Sequence, residues 1–151
     1  MCHSNSDILY ILSRSIILSN DIKNVPQLNG FVDEVCQTIG FDSMTTKKVR
    51  LAVEEAVVNV MGYAYPTGTT GSVGIAVIAN NGCLKFTITD SGKPFDPTSR
   101  PEVDVNLPWY ERPIGGLGIH LVRQMMDSVS YNRIDGKNIL TLCKNFEINN
   151  K

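Results

Sequence analysis

The chain has 151 residues, with 14 basic against 15 acidic side chains and a formal net charge of −1. That length suits one compact domain with a real core, and the near-neutral balance gives no basic surface for direct nucleic-acid binding. An ordinary apolar content argues against disorder, no apolar run reaches the length of a membrane span, and the opening MCHSNSD lacks a secretory leader's charged-then-apolar pattern. A cytoplasmic protein with no membrane partner is therefore expected.

Ile8–Leu18 alternates partially and reads as a strand. Asn20 or Asp21 is positioned to cap a helix running to about Thr38, with Pro26 in its first turns and Gly40 at its end. Asp42 or Ser43 caps a second helix that must stop before Pro66. In it Val49, Ala52, Val53, Ala56, Val57, Val60 and Ala64 recur at helical spacing and form one core stripe. Residues 67–71 are a turn. Val73–Ala79 and Leu84–Thr89 form a hairpin around Asn80-Asn81-Gly82.

From Asp90 to Ile114 the prolines at 94, 97, 101, 108 and 113 interrupt any periodicity. A loop that long inside a compact domain is usually functional, often a lid. Gly115–Asp127 reads as a helix, and Ser128–Ile134 and Ile139–Phe146 as a last hairpin around Asp135-Gly136. The order implies an α+β fold, a mixed but largely antiparallel sheet with helices on one face, in a single domain over 1–151. The four cysteines are scattered, with no C-x-x-C pair. Cys36, Cys83 and Cys143 read as small buried hydrophobes.

Three local features carry chemistry. Glu55 and Asn59 lie outside the core stripe of the second helix, four residues apart and only about 40° apart in direction, so both can reach one ligand. A carboxylate can accept a proton, and a neighbouring carboxamide offers a neutral oxygen to a hard cation such as Mg²⁺. Glu54 points about 140° away from Asn59 and reads as a solvated neighbour. Asp90-Ser91-Gly92 follows a strand directly; its carboxylate could accept from an amino group such as that of adenine, although D-S-G is also ordinary turn sequence. Gly115-Gly116-Leu117-Gly118 opens a helix, where bare backbone and free amides favour phosphate, and where a plain hinge would look the same. It is neither a Walker A motif nor a dinucleotide fingerprint.

The succession of these features resembles the anti-sigma-factor serine-protein kinases of the GHKL ATPase superfamily. EEAVVN is similar to that family's N box, DSGKPFD to its first glycine box and PIGGLGIHLVRQMMDSV to its second, the most specific of the three. The resemblance implies a two-layer α/β sandwich of the Bergerat type that binds ATP and Mg²⁺ beneath a lid at about 93–114. It implies Glu55 as general base, Asn59 as the Mg²⁺ ligand, Asp90 on the adenine amine, Gly92 beneath the ring, and Gly115, Gly116, Leu117 and Gly118 at the phosphates. Thr141 would be a second adenine contact, and Arg112 a lid arginine facing the terminal phosphate.

The activity implied is transfer of phosphate to a serine of an anti-anti-sigma (STAS-domain) protein, with a sigma factor as competing partner and a homodimer as the assembly. The alternative is a catalytically silent switch that binds partners according to nucleotide. The histidine usual beyond the N-box asparagine is replaced by Tyr63, and the lid carries Trp109-Tyr110. Both departures bear on which partner is recognised.

Overall fold

The computed structural model describes residues 12–99 and 116–147, with the side chains of Gly116 and Leu117 outside that description. In chain order the elements are β1 (Leu12–Ser19), a 3-10 turn (Ile22–Asn24), α1 (Val25–Ile39), α2 (Ser43–Tyr63), β2 (Ser72–Asn80) and β3 (Cys83–Asp90). A second 3-10 turn (Pro97–Ser99), α3 (Gly116–Met125), β4 (Ser128–Ile134) and β5 (Lys137–Asn145) follow.

Local chemistry sets these boundaries. Asp21 caps the first 3-10 turn by accepting from the Lys23 amide at 2.9 Å, so the chain makes a short turn before α1 instead of entering the helix directly. Pro26 sits in the first turn of α1, where its missing N–H costs nothing. Gly40 ends that helix at φ 92°, a left-handed conformation that favours glycine. Asp42 starts α2 by accepting from the Thr45 amide at 2.7 Å. That bond holds the Asp42 carboxyl below its ordinary proton affinity. Both hairpins turn on two residues of positive φ, Asn81-Gly82 and Asp135-Gly136 (47° and 77°, 52° and 77°), as two-residue loops between twisted strands require.

The sheet has five strands in the order β1-β2-β3-β5-β4. The largely antiparallel sheet expected from the sequence is found, and every neighbouring pair among the described strands is antiparallel. β2–β3 and β4–β5 are hairpins; the connection from β1 through α1 and α2 also reverses the chain, whereas that from β3 through α3 leads to β4, which lies beyond β5 and runs in the same sense as β3. Alternation sends Val73, Ile75 and Val77 of β2, Leu84, Phe86 and Ile88 of β3, and Leu140 and Leu142 of β5 to one face. There they meet the stripe of α2 read from the sequence, all seven members of which are buried. α1 and α3 pack on either side of α2.

The other face of the sheet carries no described helix, and two cysteines bear the consequence. Cys36 is fully buried in α1, and burial pushes its thiol up to about 11. Cys83 and Cys143 are only half-buried, because their positions on β3 and β5 put them on the uncovered face. Among the described residues no helix is long and apolar enough to cross a membrane.

Candidate functional site

α2 runs through the site from one end to the other. Midway along it, Glu55 and Asn59 project together toward the first turn of α3. A Cβ built on Gly118 would lie 2.7 Å from Asn59 Nδ2 and 3.1 Å from Glu55 Oε2, so α3 comes this close only because residue 118 has no side chain. Burial, and then the charge of Glu54, raises the proton affinity of the Glu55 carboxyl above the ordinary carboxylate range. No hydrogen bond ties the side chain of Glu55 or Asn59 to another described residue. Glu54 is not the solvated neighbour expected from the sequence. Its Oε1 accepts from Asn29 Nδ2 of α1 at 2.9 Å, which turns it away from Asn59 and into the α1–α2 seam.

The C-terminal end of α2 meets the end of β3. From Asn59 to Ala64 is five residues, about 7.5 Å along the helix axis. A Cβ on Gly92 would lie 2.2 Å from the carbonyl oxygen of Ala64, and the same oxygen accepts from the Lys93 amide at 2.8 Å. The absent side chain at 92 thus lets the loop after β3 lie on the last turn of α2. Tyr65 adds a second tie: its hydroxyl donates to the Ser72 carbonyl at 2.6 Å and accepts from the Ser91 amide at 3.0 Å. Phe95 stacks on Tyr63 of α2 with ring centroids 5.3 Å apart.

Asp90 is the last residue of β3 and is 2% exposed. Its Oδ1 accepts from the Gly92 amide at 2.8 Å and from Asn138 Nδ2 at 2.9 Å. Its Oδ2 is buried and has no partner among the described residues. A buried carboxylate oxygen left without a donor costs on the order of 1–3 kcal/mol or more, so this atom fits a ligand that brings an N–H. Among the described residues one other buried side-chain oxygen lacks a partner, Asn29 Oδ1, beside a cleft lined by Lys47, Arg50 and Glu54. The open cleft of about 470 Å³ lined by Asp21, Met61 and Tyr65 includes none of the groups singled out in the sequence.

The structure therefore gathers Glu55, Asn59 and Gly118 into one cluster and Asp90 and Gly92 into a second, with α2 as the shared wall. Gly116 opens α3, so Gly118 lies in its first turn. Thr141 does not join either cluster. It pairs with Thr87 on β3, one step out of phase with Leu140 and Leu142, and so projects from the opposite face of the sheet to Asp90. The β5 residue in register with Asp90 is Asn138, 3% exposed, which the sequence reading missed. A signal was available: Asn138 has the same parity as Leu140 and Leu142, and a polar residue at an inward strand position needs partners. Arg112, Gly115 and Trp109-Tyr110 lie outside the described residues, as do the side chains at 116 and 117.

Comparison with known proteins bears on the family and the fold. The chain is 28% identical over 109 residues to the serine-protein kinase RsbW of Halalkalibacterium halodurans, covering 70% of this chain and 66% of that protein. It is 29% identical over 92 residues to the serine/threonine-protein kinase BtrW of Bordetella bronchiseptica, covering 61% of this chain and 65% of the relative. The chain thus spans about two thirds of the length of these curated relatives. Among solved structures, the RsbU and RsbW domains of Rv1364c from Mycobacterium tuberculosis superpose with a TM-score of 0.64 at 17% identity, over 89% of this chain and 32% of that one. This likeness shows a shared fold. Residues 18–144 match the histidine kinase-like ATPase domain, and the chain belongs to that family.

Proposed function

We propose that this chain is an ATP- and Mg²⁺-dependent protein-serine kinase of the anti-sigma type, a single domain over 1–151. The observation that carries the reading is the buried, unpartnered Oδ2 of Asp90. It is a fixed acceptor near the C-terminal end of α2, where Gly92 meets Ala64, and Asn59 and Glu55, five and nine residues earlier on that helix, have no described partners of their own. In the proposed roles Asp90 Oδ2 accepts from the adenine amine, and the bare backbone of Gly92 lets the ring approach. The amides of Gly115, Gly116, Leu117 and Gly118 face the phosphates, where a helix start favours negative charge. Asn59 Oδ1 holds the metal, an oxygen donor suited to a hard cation.

When bound, Mg²⁺–ATP supplies the γ-phosphoryl group with part of its charge neutralised. Glu55 accepts the proton of the incoming serine hydroxyl. Its half-buried position supports that role, since a carboxylate of raised proton affinity is a better base. Arg112 offsets charge at the terminal phosphate.

The two curated relatives described above are named as a serine-protein kinase and a serine/threonine-protein kinase. On that likeness we assign as acceptor a serine of an anti-anti-sigma STAS-domain protein and as second partner a sigma factor, with the protein acting as a cytoplasmic homodimer. Incubation with Mg²⁺, γ-labelled ATP and the STAS-domain proteins of the same genome tests the proposal. Label on a serine of one of them is the expected result. Nucleotide-dependent partner binding with no transfer would replace the kinase by the silent switch.

A further inference from the structure

Asn138 faces Asp90 across the β3–β5 pair and is almost wholly enclosed. Its Nδ2 donates to Asp90 Oδ1 at 2.9 Å and to the Lys93 carbonyl at 2.8 Å. Its Oδ1 accepts from the Phe95 amide at 3.1 Å and from the Tyr131 hydroxyl. A carboxamide has two N–H donors and an oxygen with two lone pairs, so every bonding position of this side chain is used. The orientation is also forced. Lys93 O and a carboxylate can only accept, and the Phe95 amide can only donate, so the flipped amide would fail at three partners.

The network constrains Asp90 in a specific way. With the Gly92 amide and Asn138 Nδ2 both on Oδ1, tilting the plane of the carboxyl would break two hydrogen bonds at once. Oδ2 is thereby kept as the free acceptor. The same carboxamide pins Lys93 and Phe95 in the loop after β3, and Arg133 Nη1 donates to the Gly92 carbonyl of that loop at 2.9 Å.

We propose that Asn138 is a positioning residue for nucleobase recognition: it fixes the plane of the Asp90 carboxylate so that one oxygen stays free toward the base, and it sets the loop at 93–95 around it. This rests on the reading that Asp90 accepts from the exocyclic amine of adenine. A residue that merely supports the fold would affect all nucleotides alike, whereas a residue that aims Asp90 affects discrimination between an amine and a carbonyl at that place on the ring.

The test is calorimetric titration of the full chain, with Mg²⁺, by ATP and by inosine triphosphate, which carries a carbonyl in place of the amine. Wild type should prefer ATP. Asn138→Ala should cut that preference about tenfold or more, mainly through weaker ATP binding. Asn138→Asp, of the same shape but without donors when ionised, should do the same. A preference equal to wild type in either folded variant overturns the role of Asn138 while leaving Asp90 in place. If neither variant folds, Asn138 is a structural residue and the positioning role is likewise overturned. A wild type that binds both nucleotides equally overturns the assignment of Asp90 itself.

Discussion

Beside the last turn of α2, Asp90 is enclosed and one of its oxygens is saturated by the protein. Between one and three turns earlier on the same helix, Glu55 and Asn59 have no hydrogen-bond partner among the described residues. The two ends also use their close-approach glycines differently. Gly92 makes room for backbone, the carbonyl of Ala64, whereas Gly118 makes room for the tips of two side chains. Under the proposed function the contrast separates recognition from reaction. A base site that must distinguish one donor from one acceptor gains from a network that cannot rearrange, because a wrong ligand then leaves a buried group unpaired. A transfer site gains from groups whose partners arrive with the ligand, and from a carboxylate whose proton affinity is raised by burial.

Mutation at the transfer end gives the largest effect the comparison predicts. Glu55→Gln should lower serine phosphorylation by roughly two to four orders of magnitude, the range for loss of a general base, with nucleotide affinity little changed. Labelled-phosphate transfer measured beside calorimetry checks this. Equal loss of transfer and binding would mean that Glu55 supports the ligand and is not a base.

The glycines offer a sharper contrast. Gly92→Ala drives a methyl into backbone at 2.2 Å, so thermal unfolding should show a stability loss of about 1–3 kcal/mol along with weaker nucleotide binding. Gly118→Ala meets only side-chain tips, at 2.7 and 3.1 Å, and adds helix propensity within α3. Its melting temperature should hold or rise while Mg²⁺-dependent nucleotide affinity falls. If both variants lose stability alike, the two ends are not built differently.

The smallest effect is a shift in pH dependence. Glu55 acts as a base only when ionised, and its proton affinity is raised, so transfer should climb as pH rises through that elevated value. Glu54 contributes part of the elevation by like-charge repulsion. Glu54→Gln should therefore move the acid limb of the pH–rate profile to lower pH. A limb that moves upward would show that the Glu54 charge is not what Glu55 senses.

Much of the fold was legible because it follows from local rules. The α2 stripe, the Asp42 cap, the left-handed Gly40 and the two hairpin turns each depend on a few neighbouring residues. The pairing of Glu55 with Asn59 was legible too, since helical periodicity alone puts them on one side. What escaped depends on register between distant strands. Thr141 and Asn138 differ by an odd number of positions, so they project from opposite faces, and only the Asp90–Asn138 pairing shows which one meets the site. The Tyr131–Asn138–Asp90 network joins three strands, and Glu54 found Asn29 on another helix. Neither contact leaves a trace in spacing along the chain.

The account stands most directly on one site spanning the second half of α2, and calorimetric titration with ATP and Mg²⁺ of wild type, Asp90→Asn and Glu55→Gln measures it. The prediction is saturable one-to-one binding by wild type, about ten- to hundredfold weaker binding by Asp90→Asn, and binding by Glu55→Gln close to wild type. No saturable binding by wild type at millimolar ATP, or equal affinity in Asp90→Asn, would contradict it.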